Sequence, residues 1–427
     1  MSDPGVPVRP NSARRVLLAS LAGTTIEFFD FYIYATAAVL VFPKLFFPAA
    51  EPASATLQSF ATFALAFFAR PVGSAVFGHF GDRIGRKATL VAALLTMGLS
   101  TVVIGLLPTY ASIGIAAPLL LALCRFGQGF GLGGEWGGAV LLATENAPPG
   151  QRAWYGMFPQ LGAPLGFLMS GGIFVVLSET LTDAEFLAWG WRLPFLASSV
   201  LVFFGLWVRL KITETPVFER AMKEEKRVAV PIMAVGRDHS GALVLGTLGA
   251  VATFTLFYLL TVFCLSWGTM KLGFTREKFL LAQMVGVLFF AAAIPVSAIV
   301  ADRRGRRLTL AVVSAGIALF GLGLAPLFAG GFSGALLTMI IGFTLMGLTY
   351  GPLGTMLSEL FPTAVRYTGA SMTFNLAGIF GASLAPYAAT WLATHHGLAS
   401  VGYYLSAVAV ITLGAILLSH ETRDATH

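Results

Sequence analysis

The chain has 427 residues, of which 56% are hydrophobic and only 11% charged. A soluble domain carries about a quarter charged residues and must present a polar outside, so this composition excludes an ordinary soluble globule and points into a bilayer. The net charge of +7 comes from short basic clusters between apolar runs, which fits membrane topology and not a nucleic-acid-binding face.

Met1 to Asn11 shows no small-residue cleavage site after an apolar core, so no removable signal peptide is expected and the first run is expected to remain a helix. Twelve apolar runs then follow, at 16–42, 57–79, 88–107, 113–143, 153–178, 191–210, 241–267, 279–300, 308–328, 334–357, 367–393 and 400–419. Each holds about the 20 residues that cross a bilayer as a helix. They are unbroken, whereas a β-barrel needs alternating ten-residue strands. The 48 Gly and 21 Pro are tolerated in membrane helices, where neighbours re-satisfy freed backbone groups. The expected fold class is therefore all-α integral membrane, with twelve transmembrane helices.

The one long polar stretch, near 211–239, divides the runs six and six. The predicted domains are an N-terminal half at 1–211, a cytoplasmic linker at 212–239 and a C-terminal half at 240–427. Thr215-Pro216 resembles an N-cap and first-turn pair, so part of the linker is expected to be a surface helix. Placing the N-terminus inside puts 20 of the 27 Lys and Arg on the cytoplasmic side, which makes both termini cytoplasmic. Cys124 and Cys264 fall inside apolar runs, so neither a disulfide framework nor a metal site is expected.

The halves repeat one another. Gly81-Asp82-Arg83-Ile84-Gly85-Arg86-Lys87 follows the second run, and Ala301-Asp302-Arg303-Arg304-Gly305-Arg306-Arg307 follows the eighth. Glu145 and Arg152 flank the end of the fourth run as Glu359 and Arg366 flank the end of the tenth, at nearly the same offset. Two motifs recurring together indicate duplicated six-helix halves, a transporter architecture.

Charge within a span is costly and marks function. Glu27 and Asp30 lie near the middle of the first run; Thr24, Glu27, Asp30 and Tyr34 follow three- and four-residue steps on one helix face. The fourth run holds Arg125, Gln128 and Glu135, and the second holds Arg70. A carboxylate held away from water can exchange protons near neutral pH, which makes Asp30, Glu27 and Glu135 the candidates for proton coupling. The forked guanidinium of Arg125 suits a carboxylate: either the substrate's or that of Asp30. Competition between those two would couple proton to cargo; the plain alternative is a permanent ion pair fastening two helices. Glu135 and Arg70 read equally well as inter-helix ties. The second half has no deep ionisable group and offers neutral contacts: Tyr258 and Thr261, Gln283, Tyr350 and Asn375. With Arg125, Gln128 and Tyr34, the residues Tyr258, Tyr350 and Asn375 complete the substrate-binding candidates. The plain reading of each neutral residue is helix–helix hydrogen bonding. Tyr350-Gly351-Pro352 suggests a helix broken beside a cavity.

These residues resemble the major facilitator superfamily through the loop Gly78-His79-Phe80-Gly81-Asp82-Arg83-Ile84-Gly85-Arg86-Lys87. More narrowly, the chain resembles the metabolite:proton symporters. The matching pieces are Glu27-Phe28-Phe29-Asp30-Phe31-Tyr32, Arg70-Pro71-Val72-Gly73, Arg125-Phe126-Gly127-Gln128-Gly129 with Gly133-Gly134-Glu135-Trp136, Trp189-Gly190-Trp191-Arg192, and Glu359-Leu360-Phe361-Pro362 with Arg366-Tyr367-Thr368-Gly369. The resemblance implies proton-coupled import of a small organic acid or zwitterion across a bacterial inner membrane, and it spans cargoes from citrate and dicarboxylates to shikimate and betaine. It further implies a gating latch at the repeated loops: Gly78, Asp82, Arg83, Gly85, Arg86, Asp302, Arg306, Glu145, Arg152, Glu359 and Arg366.

The expected partners are a small metabolite, a proton and the lipid bilayer, with no nucleic acid, in a monomer. The proton is the coupling ion and no other cofactor or metal is expected. Two other readings stay open. A proton-antiporting exporter would show a different run-five motif from Gly162-Ala163-Pro164-Leu165-Gly166. A membrane receptor would bind without flux. No metal spacing, nucleotide loop or nucleophile elbow suggests an enzyme.

Overall fold

The computed structural model describes residues 13–48, 52–84, 86–211, 231–362 and 365–423, and the side chains of 13–16, 19, 78–84, 86–90, 208–211 and 231 lie outside that description. Among the described residues, twelve helical spans run in order. The first six are Ala13–Leu40, Pro52–Ile84, Arg86–Leu106, a fourth in two pieces (Ala116–Leu132 and Trp136–Glu145), Arg152–Thr180 and Arg192–Lys211. Span seven is Ser240–Tyr258 continued by Leu259–Phe263 and Cys264–Met270; spans eight, nine and ten are Arg276–Arg304, Arg306–Phe328 and Gly331–Glu359. Span eleven is Arg366–Gly378 continued by Ile379–Ser383 and Leu384–His396, and span twelve is Leu398–Leu418.

Among the described residues, eight of these helices are long and apolar enough to cross a membrane, and span six joins them when counted with the bent segment Asp183–Gly190. Of the other three, spans one and four have local reasons for falling short, and span three, whose side chains are described only from residue 91, supplies the shorter apolar helix Val91–Leu106. Span one carries Glu27 and Asp30 among its apolar residues. Span four is broken. The predicted run 113–143 is therefore corrected to two helices: the Gly133 and Glu135 amides reach back only three residues, to the Phe130 and Leu132 carbonyls, at 3.4 Å each. Glycines at a tightened turn are a recognised cause of such a kink. The surface helix expected at Thr215-Pro216 lies outside the described residues; a short helix does occupy Pro231–Asp238.

Span seven is the interior helix. Residues 249–266 are buried without exception, as expected of a helix apolar all round. It and span eleven each contain a five-residue π-turn, at Leu259–Phe263 and Ile379–Ser383, a feature frequent at functional sites. The Gln283 amide of span eight donates to the Leu260 and Thr261 carbonyls, both at 2.9 Å, so it satisfies acceptors that the wider turn loosens. The Thr261 hydroxyl turns back to the Phe257 carbonyl at 2.9 Å.

The glycine run of span four allows close approach to span two. A Cβ on Gly129 would collide with the Ala66 backbone, and one on Gly133 with the Arg70 backbone. Small residues at membrane helix contacts serve this purpose. Gly129→Ala is expected to lower stability by about 1–3 kcal/mol, because backbone and not a flexible side chain must move. A fall in the melting temperature of the purified protein in detergent would register it; an unchanged melting temperature would mean the two helices part freely here.

Candidate functional site

Spans one, three, four and six bring a polar cluster together inside the first half. Asp30 is 1% exposed, and neither carboxylate oxygen has a hydrogen-bond partner. The Ser198 and Thr101 hydroxyls face it without closing a hydrogen bond. Arg125 is fully buried. Its Nη1 donates to Gln128 Oε1 at 3.0 Å, and Gln128 Nε2 donates to Thr101 Oγ1 at 2.8 Å. The direct Arg125–Asp30 pair, one of the two roles open to Arg125, is absent among the described residues. Arg125 is linked to Gln128 and through it to Thr101, whose hydroxyl donates to the Met97 carbonyl at 3.0 Å and lies near Asp30 without bonding it. The cause is local. Residues 125 and 128 share a helix face, so Gln128 takes one guanidinium prong, while Nε goes to the Phe63 carbonyl at 3.3 Å. Nη2 has no partner.

Aromatic rings hold the cations. The Arg125 Cζ lies 4.0 Å from the Tyr34 ring centroid and 4.2 Å from that of Phe31. Arg70, also buried, lies 4.6 Å from Phe31 and 4.9 Å from Phe67. Stacking on rings stabilises a buried guanidinium by up to about 2 kcal/mol. Tyr258 enters from span seven, its ring 5.6 Å from Phe63 and 5.5 Å from Phe67. It lies within electrostatic reach of both arginines, and Tyr350 within reach of Arg70, Glu27 and Tyr258. Tyr34 keeps its hydroxyl without a partner. Glu27 and Glu135 are both buried at 6% exposure.

The second-half candidates also make contacts of their own. Asn375 donates its amide to Ser74 Oγ at 3.0 Å, tying span eleven to span two. Tyr350 packs against Phe290, and its helix runs unbroken through Pro352. The Tyr350 carbonyl accepts from Gln160 Nε2 at 2.9 Å, while Gln160 Oε1 accepts from Trp136 Nε1 at 3.0 Å. Trp136 in turn stacks on Phe374 at 3.6 Å. Gln160, Thr101 and Ser198 did not stand out in the sequence, and Trp136 entered only within the piece Gly133-Gly134-Glu135-Trp136. A lone amide in the apolar run 153–178 is the signal that could have pointed to Gln160; two hydroxyls among many carry no such signal.

A second cluster closes the end of the molecule where spans four, five, eight and ten meet. The Asp302 carboxylate accepts from the Ala153 and Trp154 amides at 3.0 and 2.9 Å. It thus caps the first turn of span five from the opposite half, where helix N-termini favour an anion. Arg306 holds Asp302 at 3.1 Å and reaches Glu359 with two prongs at 3.2 and 3.3 Å. Arg152 approaches Glu359 at 3.8 Å. Glu145 lies within electrostatic reach of Arg366. The tail joins in: Glu421 accepts from the Arg306 and Arg307 amides at 2.9 and 3.1 Å, and Thr422 donates to Glu359 at 2.7 Å. Gly305, with φ of 103°, leaves the space that Glu421 occupies. The matching first-half candidates Gly78, Asp82, Arg83, Gly85 and Arg86 lie outside the described residues or side chains.

The sequence profile of the Major Facilitator Superfamily matches residues 20–382. The chain is 58% identical to the inner membrane metabolite transport protein YhjE of Escherichia coli, over 97% of this chain and 95% of that one. It is 37% identical to the shikimate transporter of Escherichia coli, over 97% and 96%. Its fold is similar to that of the xylose transporter XylE from E. coli in a partially occluded inward open conformation, with a TM-score of 0.76 at 17% identity, covering 97% of this chain and 99% of that one.

Proposed function

The chain belongs to the major facilitator superfamily, and on that premise we propose that it is a proton-coupled symporter importing a small organic acid or zwitterionic metabolite by alternating access. Family membership makes it a multi-pass membrane transport protein and not an enzyme. The two six-helix halves, 1–211 and 240–427, rock about a central site, with both termini cytoplasmic and one chain sufficient.

The observation that supports this reading is a buried, unpartnered Asp30 beside the hydrogen-bonded chain from Arg125 through Gln128 to Thr101. Burial without a partner is costly for a charged carboxylate, so Asp30 is suited to arrive with a proton and release it to water when its side opens. A protonated Asp30 donates to Thr101, which favours the amide orientation that keeps Gln128 on Arg125. The unpartnered Nη2 of Arg125 then takes the cargo's carboxylate. Loss of the proton unsettles the same chain and loosens the cargo. Glu27 and Glu135 are alternative proton carriers; Tyr258 and Tyr34 line the cargo's side.

Uptake into proteoliposomes under an inward proton gradient tests the proposal, with mono-, di- and tricarboxylates, shikimate and betaine as the panel. At least one cargo is expected to accumulate and to alkalinise the outside as it enters. Absence of flux for every acid and zwitterion would sink it, and cargo leaving against an inward proton flow would assign an exporter instead.

A further inference from the structure

The two helices joined by the Asp302 cap meet again at their opposite ends. There Arg276, the first residue of span eight, reaches Asp183, just past the end of span five, with Nη2 and Oδ1 2.9 Å apart. Its guanidinium lies over the Phe186 ring, with Cζ 4.1 Å from the centroid, and Nε approaches Glu277 at 3.5 Å. Phe186 is fully buried, the Arg276 side chain is 14% exposed and that of Asp183 is 86% exposed.

The segment bearing Asp183 is a rigid hook. Thr182 and Glu185 close a reciprocal capping box, with the Thr182 amide donating to Glu185 at 2.9 Å and the Glu185 amide to the Thr182 hydroxyl at 3.3 Å. Those Thr182 contacts also hold the Glu185 carboxyl below its ordinary range. The π-turn Phe186–Gly190 follows, bent 41° against span six. A cation at the first residue of a helix is electrostatically unfavourable. Helix formation therefore does not account for Arg276, whereas a contact to the other half does.

We propose that Arg276, Asp183 and Phe186 form the outer gate of the transport path, opening while the Asp302 cap at the far end of the same helix pair stays shut. The proposal rests on the alternating-access reading above. The two ends differ in strength. The outer contact is one ion pair with an exposed partner and one ring stack, and exposed pairs contribute little. The inner latch crosses the halves through two backbone amides on Asp302, which is 9% exposed and held in place by Arg306 of its own half, with Arg152 3.8 Å from Glu359 beside it. The empty carrier therefore opens first at Arg276, which is the order that import requires. Between the two ends, Gly171 and Gly172 of span five face the flexible Met284 of span eight, a contact that lets the helices tilt.

Two measurements decide it. Asp183→Cys and Arg276→Cys, introduced together after replacing Cys124 and Cys264 by alanine, are bridged with a short bifunctional thiosulfonate. Bridging is expected to stop uptake and a reductant to restore it; full-rate uptake by the bridged carrier overturns the gate. Second, Arg276→Gln is expected to raise, about threefold, the rate at which an impermeant maleimide added outside labels a Tyr258→Cys reporter. An unchanged rate overturns the gate, and this comparison alone decides if the bridged pair does not fold. Labelling needs neither cargo nor a proton gradient. Raised labelling in a carrier that moves nothing would therefore remove the symport reading and keep the gate.

Discussion

Asp30→Asn is expected to abolish proton-driven accumulation while leaving exchange of labelled for unlabelled cargo largely intact. With one proton per cargo molecule, a gradient of one pH unit sustains about a tenfold inside-to-outside ratio. Asparagine fills the same space but carries no proton, so the ratio should fall to about one. Arg125→Ala should behave differently. It removes the cargo's charged anchor, and hydrogen bonds to charged groups contribute about 1.5–3 kcal/mol, so the KM for cargo should rise by roughly 10- to 100-fold. Thr101→Val separates the two effects, because it removes the hydroxyl that holds Gln128 and lies beside Asp30 while keeping both end groups. It should weaken coupling more than binding. The competing view is that Asp30 and Arg125 only fasten helices. In that case all three variants would lower the melting temperature and still accumulate cargo in proportion to the gradient. Full proton-driven uptake by both Asp30→Asn and Arg125→Ala would eliminate the mechanism.

Much of this site was legible in the sequence because burying charge in a bilayer is so costly that each instance stands out. Asp30 and Arg125 stand out on that ground, with Gln128 one turn beyond Arg125 on the same face, and the fold joins Arg125 to Gln128 and Gln128 to Thr101 beside Asp30. Which carboxylate Arg125 faces was left open by the sequence, and in the fold it does not bond Asp30. Sequence spacing reports which residues share a helix face, and Thr101 comes from a different helix. The same limit explains Asn375. A lone amide in an apolar run signals a hydrogen bond, but only the fold identifies the partner, here Ser74 of span two. The repeat of the Asp-Arg-x-Gly-Arg loop was visible as a pattern, and its second copy proves to cap span five through Asp302. Its tail partner Glu421 was invisible, since either of the two acids after the last span, Glu421 and Asp424, looks like any surface carboxylate. Arg276 was hidden for the converse reason: it counted only as one basic residue among several between spans.

The largest stability effect is expected at Arg306. Its side chain is 1% exposed and its partners Glu359 and Asp302 are 4% and 9% exposed. Arg306→Ala leaves two buried carboxylates facing each other without their main cation, and breaking a buried pair from one side destabilises by about 3–5 kcal/mol. The melting temperature in detergent should fall accordingly, and the span five cap should loosen with it. Stability and gating are then separated by removing both charges. Replacing a buried pair by apolar residues of similar size is often neutral or stabilising, so Arg306→Met with Glu359→Leu should recover most of the lost melting temperature. It should not recover the latch, because Asp302 has lost the guanidinium that fixes it under the Ala153 and Trp154 amides. The double variant is therefore expected to be a stable protein whose cytoplasmic side is labelled faster by a thiol reagent than that of the wild type. If it is both stable and labelled at the wild-type rate, Arg306 and Glu359 are structural and the gate lies in the Asp302 cap alone. Asp302→Asn then becomes the decisive change: it keeps one acceptor of the two and removes the charge, a loss of up to about 2 kcal/mol at a partly buried helix end.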